Sequence, residues 1–203
     1  MARYTGPRAK ISRRFGVDLF GNSKSFNRRP FPPGQHGVRA GRRKKSEYGV
    51  MLAEKQKLRF QYGILEKQFR KYYAEASRRR GVTGEILLQL LELRLDNVVY
   101  RLGYANTRAA ARQMVSHGHV HVNGHKVDIP SYACKPGDTV AIASKSGSQS
   151  LARHFAELVQ GAVVPDWLEG NADTLSGKVS RIPTKEEIAP IVNEQLIVEF
   201  YSR

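Results

Sequence analysis

Apolar residues recur at helical spacing over residues 92–102, where they predict the first helix of a small module. Leu95, Val98 and Leu102 form one apolar face, and Gly103 is placed to end the helix. Polar side chains follow the same spacing on the opposite face, namely Arg94, Asn97 and Arg101. The pattern therefore predicts an amphipathic helix over Glu92–Leu102 with a basic, polar side.

A second amphipathic helix is predicted directly afterwards. Thr107 is suited to an N-cap and Gly118 to the C-terminal end, which predicts a helix over Arg108–His117. The core side of this helix carries Ala111, Met114 and Val115. Arg108 and Arg112 lie four residues apart, so they share its exposed side.

His119-Val120-His121-Val122 alternates between polar and apolar positions, a pattern typical of a strand with one buried face. Asn123-Gly124 is the dipeptide most typical of a two-residue hairpin turn. The return strand is expected to begin at Lys126-Val127, and a further strand is expected over Thr139–Ala143. The two helices are thus predicted to lead into a small antiparallel sheet.

Further helical patterns lie on both sides of this module, and short extended segments follow them. The predicted elements are helices over Glu47–Gln61, Ile64–Arg80 and Gly84–Leu91 (with Thr83 as cap), a helix from Leu151 to Val159 after a break at Ser144–Ser148, a helical turn after Thr184, and strands over Lys178–Ile182 and Leu196–Tyr201. These elements predict an α+β fold in three parts. An extended basic arm occupies residues 1–45, a helical body comprises 46–91 and 148–203, and the module of two helices and a small sheet is inserted at 92–147.

The first 45 residues show little periodicity and many arginines. Pro30, Pro32 and Pro33 fix the backbone and discourage a helix, so an extended segment with a turn at Pro33-Gly34 is expected. Such a segment buries little apolar surface by itself and would become ordered against a partner. A solvated basic tail is the alternative, but five aromatic residues argue against it because they can pack locally or stack on bases: Tyr4, Phe15, Phe20, Phe26 and Phe31.

The charge of the chain favours a polyanionic partner. Formal net charge is +16 and the sequence pI is about 10.2. The excess is uneven, since residues 1–50 carry 13 basic and 2 acidic side chains whereas residues 151–203 carry 5 and 8. A nucleic acid is therefore expected along the first three quarters of the chain, and a basic protein against the slightly acidic last quarter.

The hydrophobic content and the cysteine count favour a soluble protein of the cytoplasm. No apolar run approaches the roughly 20 residues needed to span a bilayer, and the first residues contain no apolar signal-peptide segment. Cys134 is the single cysteine, so no internal disulfide can form.

The predicted module combines features that suit phosphate binding. Unpaired amides at the helix start near Thr107 attract phosphate, and Arg108 and Arg112 would reinforce that attraction. The residues at 94–103, at 107–108, at 117–119 and at 122–124 resemble the αL-type RNA-binding motif. A generic α+β core with surface charges is the alternative.

Further motifs outside the module extend this resemblance to one protein family. Arg3-Tyr4 with Gly6-Pro7, the segment Arg28–Gly37, and the C-terminal segments 192–196 and 199–203 are similar to the family of the fourth protein of the bacterial small ribosomal subunit. The resemblance covers nearly the whole chain in the expected order. It implies a structural, non-enzymatic constituent of the ribosome in the cytoplasm, without a cofactor or small-molecule substrate.

The resemblance also implies specific partners. Members of the family bind the 5′ domain of the 16S-type ribosomal RNA and nucleate assembly of the subunit body. They contact the fifth small-subunit protein, at an interface that influences translational accuracy, and lie near the entrance of the mRNA channel.

Basic and polar residues of the arm, the helices and the module are the candidate contacts. The candidate RNA-binding residues are Arg3, Lys10, Arg13, Arg14, Arg28, Arg29, Gln35, His36, Arg39, Arg42, Arg43, Lys44, Lys45, Lys55, Arg59, Arg70, Lys71, Arg94, Arg101, Thr107, Arg108, Arg112, His117, His119, His121 and Asn123. The candidate protein-interface residues are Glu194 and Glu199.

Two groups of residues bear on metal binding, and neither favours it. Many members of the family carry four cysteines with zinc-site spacing in the arm, but here the early positions match Ala9 and Ser12, and residues 21–26 contain no cysteine. A zinc-free variant is therefore expected. The second group is a run of closely spaced histidines: His117, His119, His121 and His125. These are expected to be polar surface residues beside RNA because no carboxylate or cysteine completes a ligand set.

Two rival functions remain at the level of the sequence. RNA-modifying enzymes such as pseudouridine synthases also carry αL-type modules, and Arg94-Leu95-Asp96 repeats their catalytic triplet. Here Asn97 continues a helix where the synthases have a turn, and no nucleophile with its base is evident, so an enzyme is not expected. A free regulator that binds mRNA or DNA through the same module is the other rival.

Overall fold

Helices dominate the chain, which also forms one small antiparallel sheet. The computed structural model describes residues 4–21, 24–42, 46–159 and 163–202. It contains two compact units, the first made of residues up to Arg78 together with those from Ile191 onward, and the second of Arg79–Pro190. The α+β class predicted from the sequence is confirmed.

In the described part of the first unit, the regular elements are all helices. Its elements are α1 (Arg8–Phe15), α2 (Lys24–Arg28), a 3₁₀ helix (Gly37–Arg42), α3 (Glu47–Gln61), α4 (Glu66–Arg78) and the C-terminal α10 (Glu194–Ser202). Ser46 caps α3 by accepting a hydrogen bond from the Gly49 amide, and α3 has the predicted bounds. Its core is formed by Met51, Leu58, Ile64, Phe69, Ala76 and Ile197.

The described residues of the arm form three short helical segments, which corrects the expectation of an extended chain over residues 1–45. Ile11 and Leu19 are buried, and the rings of Tyr4 and Phe15 pack on Phe60 of α3. These contacts supply the apolar burial that helix formation in a short segment requires. Residues 29–36 around the prolines are not helical, as predicted, and the Gly37 amide closes a turn onto the Gly34 carbonyl.

The C-terminal segment Leu196–Tyr201, predicted as a strand, lies within helix α10, so that prediction was wrong. Ile197 is fully buried, and the Tyr201 ring stacks on Tyr73 of α4 with centroids 4.6 Å apart. A short apolar run fits a strand or a buried helix equally well by periodicity, and packing against α3 and α4 decides the outcome here.

The second unit surrounds a five-stranded sheet with helices. Its elements are α5 (Thr83–Glu92), α6 (Leu95–Arg101), α7 (Arg108–Ser116), β1 (Val120–Val122), β2 (His125–Lys126), β3 (Thr139–Ile142), α8 (Ser146–Leu158), β4 (Leu168–Asn171), β5 (Ser176–Val179) and α9 (Lys185–Ile188). The strand order is β2-β1-β3-β5-β4 and every pairing is antiparallel. The core lies between this sheet and α6, α7 and α8, and includes Val98, Leu102, Val115, Val140, Ala152 and Trp167.

Helix α6 starts later than predicted because the chain is extended at Arg94 (φ −68°, ψ 138°). There the backbone pairs with the segment before β3: the Leu95 amide donates to the Tyr132 carbonyl, and the Cys134 amide donates to Leu93. This bridge separates α5 from α6 and corrects the predicted helix Glu92–Leu102. At the other end of α5, Thr83 is its first residue, and Val82 occupies the N-cap position without a side-chain hydrogen bond, so the predicted cap was wrong.

The second unit extends beyond the module predicted at 92–147. Strands β4 and β5 add to its sheet next to β3, and Leu168, Leu175 and Val179 complete its core. Helix α8 belongs to this unit too, and it begins inside the stretch expected to be a break. The sequence placed residues 148–203 with the helical body because these strands have too short a pattern to reveal their pairing partner.

The helix and hairpin ends within the module match their predicted signals. Thr107 Oγ1 accepts a 3.2 Å hydrogen bond from the Ala110 amide, which confirms the N-cap of α7. Gly118 (φ 73°) ends that helix, and Asn123 (φ 51°) and Gly124 (φ 80°) form the two-residue turn between β1 and β2. Both turn residues have positive φ, as a type I′ turn requires. Among the described residues, no helix is long and apolar enough to cross a membrane.

Candidate nucleic-acid interface

A fully buried carboxylate, Glu92, lies at the centre of the basic side of the module. Its Oε1 accepts a 2.8 Å hydrogen bond from Arg101 Nη2, and its Oε2 accepts one of 3.0 Å from Arg101 Nε. Asn97 Nδ2 donates to the same Oε2 at 2.6 Å and to the Glu92 carbonyl at 2.9 Å. The fork geometry of Arg101 holds its guanidinium plane in one orientation.

Arg108 is held by the other end of the Asn97 amide. Its Nε donates a 2.8 Å hydrogen bond to Asn97 Oδ1, and its guanidinium carbon lies 4.6 Å from the centroid of the Tyr100 ring. The side chains of Arg101 and Arg108 are 25% and 18% exposed, so each retains some solvent-accessible surface. The second unit thus carries two partly exposed arginine side chains whose guanidinium groups have fixed orientations.

The start of α7 adjoins these arginines along the chain. Thr107 caps the Ala110 amide, while the amides of the first helical turn carry the partial positive charge of the helix N-terminus. Arg108 is the first residue of the helix, and Arg112 lies one turn further, partly exposed. This arrangement can bind phosphate groups through charge and hydrogen bonding, without reading bases.

The hairpin side chains predicted to contact RNA have different environments. His117 is exposed, and His121 is partly exposed on β1. His119 Nδ1 lies 2.8 Å from the buried Ser148 hydroxyl of α8. Both ends of the Asn123 amide have a partner, because Nδ2 donates to Asp138 at 2.9 Å and Oδ1 accepts from the Thr139 amide at 2.9 Å. Asn123 therefore holds the turn against β3.

Arg94 has a structural place, which corrects its assignment to the basic surface. Its side chain is 2% exposed and donates to both oxygens of the buried Asp96 carboxylate, at 3.0 and 2.7 Å. The extended backbone at position 94 turns the side chain inward, whereas a continuous helix would have placed it beside Arg101. We withdraw Arg94 from the candidate RNA contacts.

In the first unit, Lys55 is buried and is also withdrawn. Its ammonium group donates a 2.9 Å hydrogen bond to Glu66 and lies 4.9 Å from the centroid of the Phe200 ring. Arg59 is 16% exposed, with its guanidinium carbon 4.3 Å from the centroid of the Phe60 ring. Arg70 and Lys71 on α4 are exposed and remain candidates.

The arm presents most of its predicted cations to solvent. Exposed candidates are Lys10, Arg14, Arg28, Arg29, Gln35, His36 and Arg39. Arg13 is partly exposed, donates to the Phe31 carbonyl at 3.0 Å and lies over the Phe31 ring, so it fastens α1 to the proline segment. The predicted contacts Arg3, Arg43, Lys44 and Lys45, and the side chain of Arg42, lie outside the described part of the chain.

The two candidate protein-interface residues on α10 differ in exposure. Glu194 is 6% exposed at the start of the helix, so its carboxylate is taken up by the fold and it is withdrawn as a surface contact. Glu199, one helical turn further on, is exposed and remains a candidate.

Several residues of this interface carried a weaker sequence signal. Glu92 and Tyr100 orient the arginines, but in the sequence Glu92 stood out only as the first residue of a predicted helix. Arg8 on α1 and Lys126 on β2 are exposed cations, and both appear in the sequence as basic residues beside predicted contacts.

Across the ranges that the structure describes, no group of three or more His, Cys, Asp or Glu side chains is placed to hold a metal ion. The rings of His117 and His119 lie 6.1 Å apart. Cys134 is 2% exposed, and burial together with the negative charges of Asp138 and Asp96 raises the pKa of its thiol to about 12. A thiol with this pKa is a poor nucleophile at neutral pH.

Comparison with known proteins gives two family matches in succession. Residues 3–92 match the family described as Ribosomal protein S4/S9 N-terminal domain, and residues 93–140 match the S4 domain. Similar proteins named Small ribosomal subunit protein uS4 occur in Akkermansia muciniphila (73% identical over 203 residues), Opitutus terrae (57% over 203) and Chloroflexus aurantiacus (53% over 209). In each comparison 100% of this chain and 100% of the relative are covered.

Proposed function

This chain belongs to the uS4 family of small ribosomal subunit proteins, and from that membership we propose that it binds the 5′ domain of the small-subunit ribosomal RNA. The family is a structural, non-enzymatic component of the ribosome, and its S4 domain binds ribosomal RNA. We propose that the protein binds this RNA early in assembly and nucleates the body of the subunit. Its proposed location is the cytoplasm.

The observation that supports this most strongly is the pair of oriented arginines next to the α7 N-terminus. Arg101 and Arg108 are held by Glu92, Asn97 and Tyr100, while both arginine side chains keep exposed surface. An arginine that the fold already holds in one orientation loses little conformational entropy when it pairs with phosphate. Such a surface suits a ligand whose phosphates have fixed spacing, as in a folded RNA.

Recognition is proposed to depend on the shape of the RNA. The deep, narrow major groove of A-form RNA hides its base edges, so proteins contact mainly phosphates and 2′-hydroxyl groups. Exposed cations of α1, of the C-terminal end of α2 and of α4 would add phosphate contacts from the first unit. These residues are Lys10, Arg14, Arg28, Arg29, Arg70 and Lys71. These contacts give affinity, and the fixed arginines give register.

The C-terminal helix is proposed to take part in a protein contact. Glu199 is exposed on α10, and residues 151–203 carry 8 acidic against 5 basic side chains. This charge complements a basic partner, which we propose to be the fifth small-subunit protein, at an interface that influences translational accuracy beside the mRNA entrance. Charge reversal Glu199→Lys should weaken binding of purified fifth protein, while reversal at the exposed Glu157 of α8 should not.

A salt series with three nucleic acids tests the RNA proposal. Binding of the full chain is measured to the 5′-domain fragment, to a shuffled RNA of equal length and to duplex DNA. We expect binding to the native fragment to survive at salt concentrations that release the other two, because shape-specific contacts add to counterion release. Equal affinity and equal salt dependence for all three would contradict the proposal and would favour a nonspecific or regulatory binder.

A further inference from the structure

Glu92 is a carboxylate with no exposed surface, at the last residue of α5, on a module that is expected to bind a polyanion. An acid would repel phosphate, and its burial is costly unless its charge is neutralised and its oxygens accept hydrogen bonds. Arg101 and Asn97 donate to those oxygens. A buried acid in a basic module therefore requires an explanation other than its charge at the surface.

We propose that Glu92 is the positioning residue of the RNA-binding face. It fixes Arg101 directly through two hydrogen bonds. It acts on Arg108 in two ways, through an ion pair with its Nη2 at 4.0 Å and by turning the Asn97 amide, which accepts from its Nε. Because Asn97 Nδ2 donates to Glu92, Asn97 Oδ1 faces Arg108 and accepts from its Nε. The inference rests on the proposed RNA-binding function. It assigns to Glu92 the fixed arginine orientations on which specific binding of a folded RNA would depend.

The Arg94–Asp96 pair in the same unit shows how a purely structural ion pair differs. Both of its side chains are buried, with 2% and 7% exposure, so neither charge can reach a ligand. Around Glu92 the acid and Asn97 are buried, while the side chains of Arg101 and Arg108 are 25% and 18% exposed. An acid that is hidden while its arginine partners remain accessible has the arrangement expected of a support for binding groups.

The two family matches meet at this residue. Glu92 is the last residue of the first match, and Asn97, Arg101 and Arg108 belong to the S4 domain that starts at residue 93. The arginines of the RNA-binding domain are therefore oriented by a residue that the preceding helix α5 supplies. An isolated fragment that starts at residue 93 would lack this carboxylate.

Glu92→Gln tests the proposal with little change in shape. Both carboxylate oxygens accept hydrogen bonds, but glutamine has one acceptor oxygen and one NH₂ group, so a donor would face Arg101 or Asn97. We expect affinity for the native 5′-domain fragment to fall about tenfold, equivalent to about 1.4 kcal/mol. Affinity for shuffled RNA should stay equal or rise, because the loss of a negative charge favours any polyanion. The ratio of the two affinities is the readout.

Three controls separate positioning from folding. Asp96→Asn removes the other buried acid of the unit and should lower the thermal midpoint while leaving the affinity ratio unchanged for folded protein. In a variant with Arg101 and Arg108 both replaced by alanine, Glu92→Gln should have no further effect on the ratio, since the groups it positions are gone. Asn97→Ala removes the acceptor of Arg108 Nε together with one donor to the Glu92 carboxylate, and keeps the two Glu92–Arg101 hydrogen bonds, so it tests the link through Asn97 if Glu92→Gln does not fold.

The outcomes distinguish the two levels of the proposal. If the double arginine variant binds the native fragment as tightly as the wild type, this face does not bind RNA and the proposed function of the site fails. If the double variant binds weakly but Glu92→Gln and Asn97→Ala leave the affinity ratio unchanged, RNA binding stands and positioning by Glu92 is overturned. An equal loss from Glu92→Gln with and without the two arginines would likewise assign Glu92 a structural role alone.

Discussion

The Tyr201 hydroxyl donates a 2.8 Å hydrogen bond to the carboxylate of Glu66, although 135 residues separate them along the chain. The other carboxylate oxygen accepts from the buried Lys55 ammonium group at 2.9 Å. The helices α3, α4 and α10 of the first unit are thus joined through one acid. This contact adds a polar link to the packing of Ile197 and Tyr201 that holds the C-terminal helix on the unit.

Glu66→Gln is expected to destabilise the first unit in a pH-dependent way. Burial would raise the pKa of Glu66, but hydrogen bonds from Lys55 and Tyr201 and the charges of Lys55 and Arg59 lower it below the ordinary value of 4.5. A lowered pKa gives stability that is present above pH 4.5 and is lost as the pH falls through the folded-state value. The cost at pH 7 should be about 1 kcal/mol, since the side chain is 35% exposed and screened by solvent.

Urea unfolding at pH 7 and pH 3 measures the difference in the free energy of unfolding between the wild type and Glu66→Gln. This difference should be smaller at the lower pH, because the wild-type carboxylate becomes protonated as the pH falls. Glu47→Gln at an exposed position of α3 serves as the matched control. A difference that is constant between the two pH values would contradict the assigned pKa direction.

Arg94→Ala should lower the free energy of unfolding by about 3 kcal/mol, because it leaves the buried Asp96 carboxylate without its cation. Thermal or urea unfolding followed by circular dichroism gives the stability. The salt dependence of RNA binding should not change for the folded fraction. A reduction of the salt slope would show that Arg94 does reach a phosphate and would restore it to the interface.

Replacement of both Arg108 and Arg112 by alanine should weaken RNA binding and make it less dependent on salt. Each lost phosphate contact reduces the slope of log K against log salt by roughly 0.7–0.9. Fluorescence titration of the 5′-domain fragment at several salt concentrations measures the slope. Arg153→Ala, at an exposed position of α8, is the matched control and should change it little. An unchanged slope in the double variant would remove both arginines from the RNA contacts.

Asn123→Ala is expected to cost about 1–2 kcal/mol of stability, because it removes hydrogen bonds to Asp138 and Thr139 and places an alanine at φ 51°. Equilibrium unfolding provides the measurement. RNA affinity of the folded protein should change less than twofold if the side chain acts only within the turn. A large loss of affinity with normal stability would identify Asn123 as a direct contact.

Native Cys134 should react slowly with iodoacetamide at pH 8. Burial and two nearby acids raise the pKa of its thiol to about 12, so the reactive thiolate is scarce, and the side chain is 2% exposed. Mass spectrometry should show little alkylation of folded protein over a time in which protein in 8 M urea reacts fully. Equal rates in both states would contradict burial of this thiol.

Local patterns in the amino-acid sequence were sufficient for the elements whose signals lie within a few residues. The Thr107 cap, the Asn123-Gly124 turn and helix α3 were predicted correctly, because each depends on the chemistry or periodicity of neighbouring residues. The motif resemblance across the chain also led to the correct family. The excess of basic over acidic residues predicted a negatively charged partner.

Long-range contacts decided the features that the local pattern could not. Arg94 was expected on the surface because a continuous helix would place it beside Arg101, but backbone pairing with residues 132–134 turns it inward. Segment 196–201 becomes helical through its contact with α3 and α4, while β5 pairs with β3 and β4 pairs with β5. Burial and pairing depend on residues that are distant in the chain, so only the folded structure distinguishes an arginine that supports the core from one that can bind RNA.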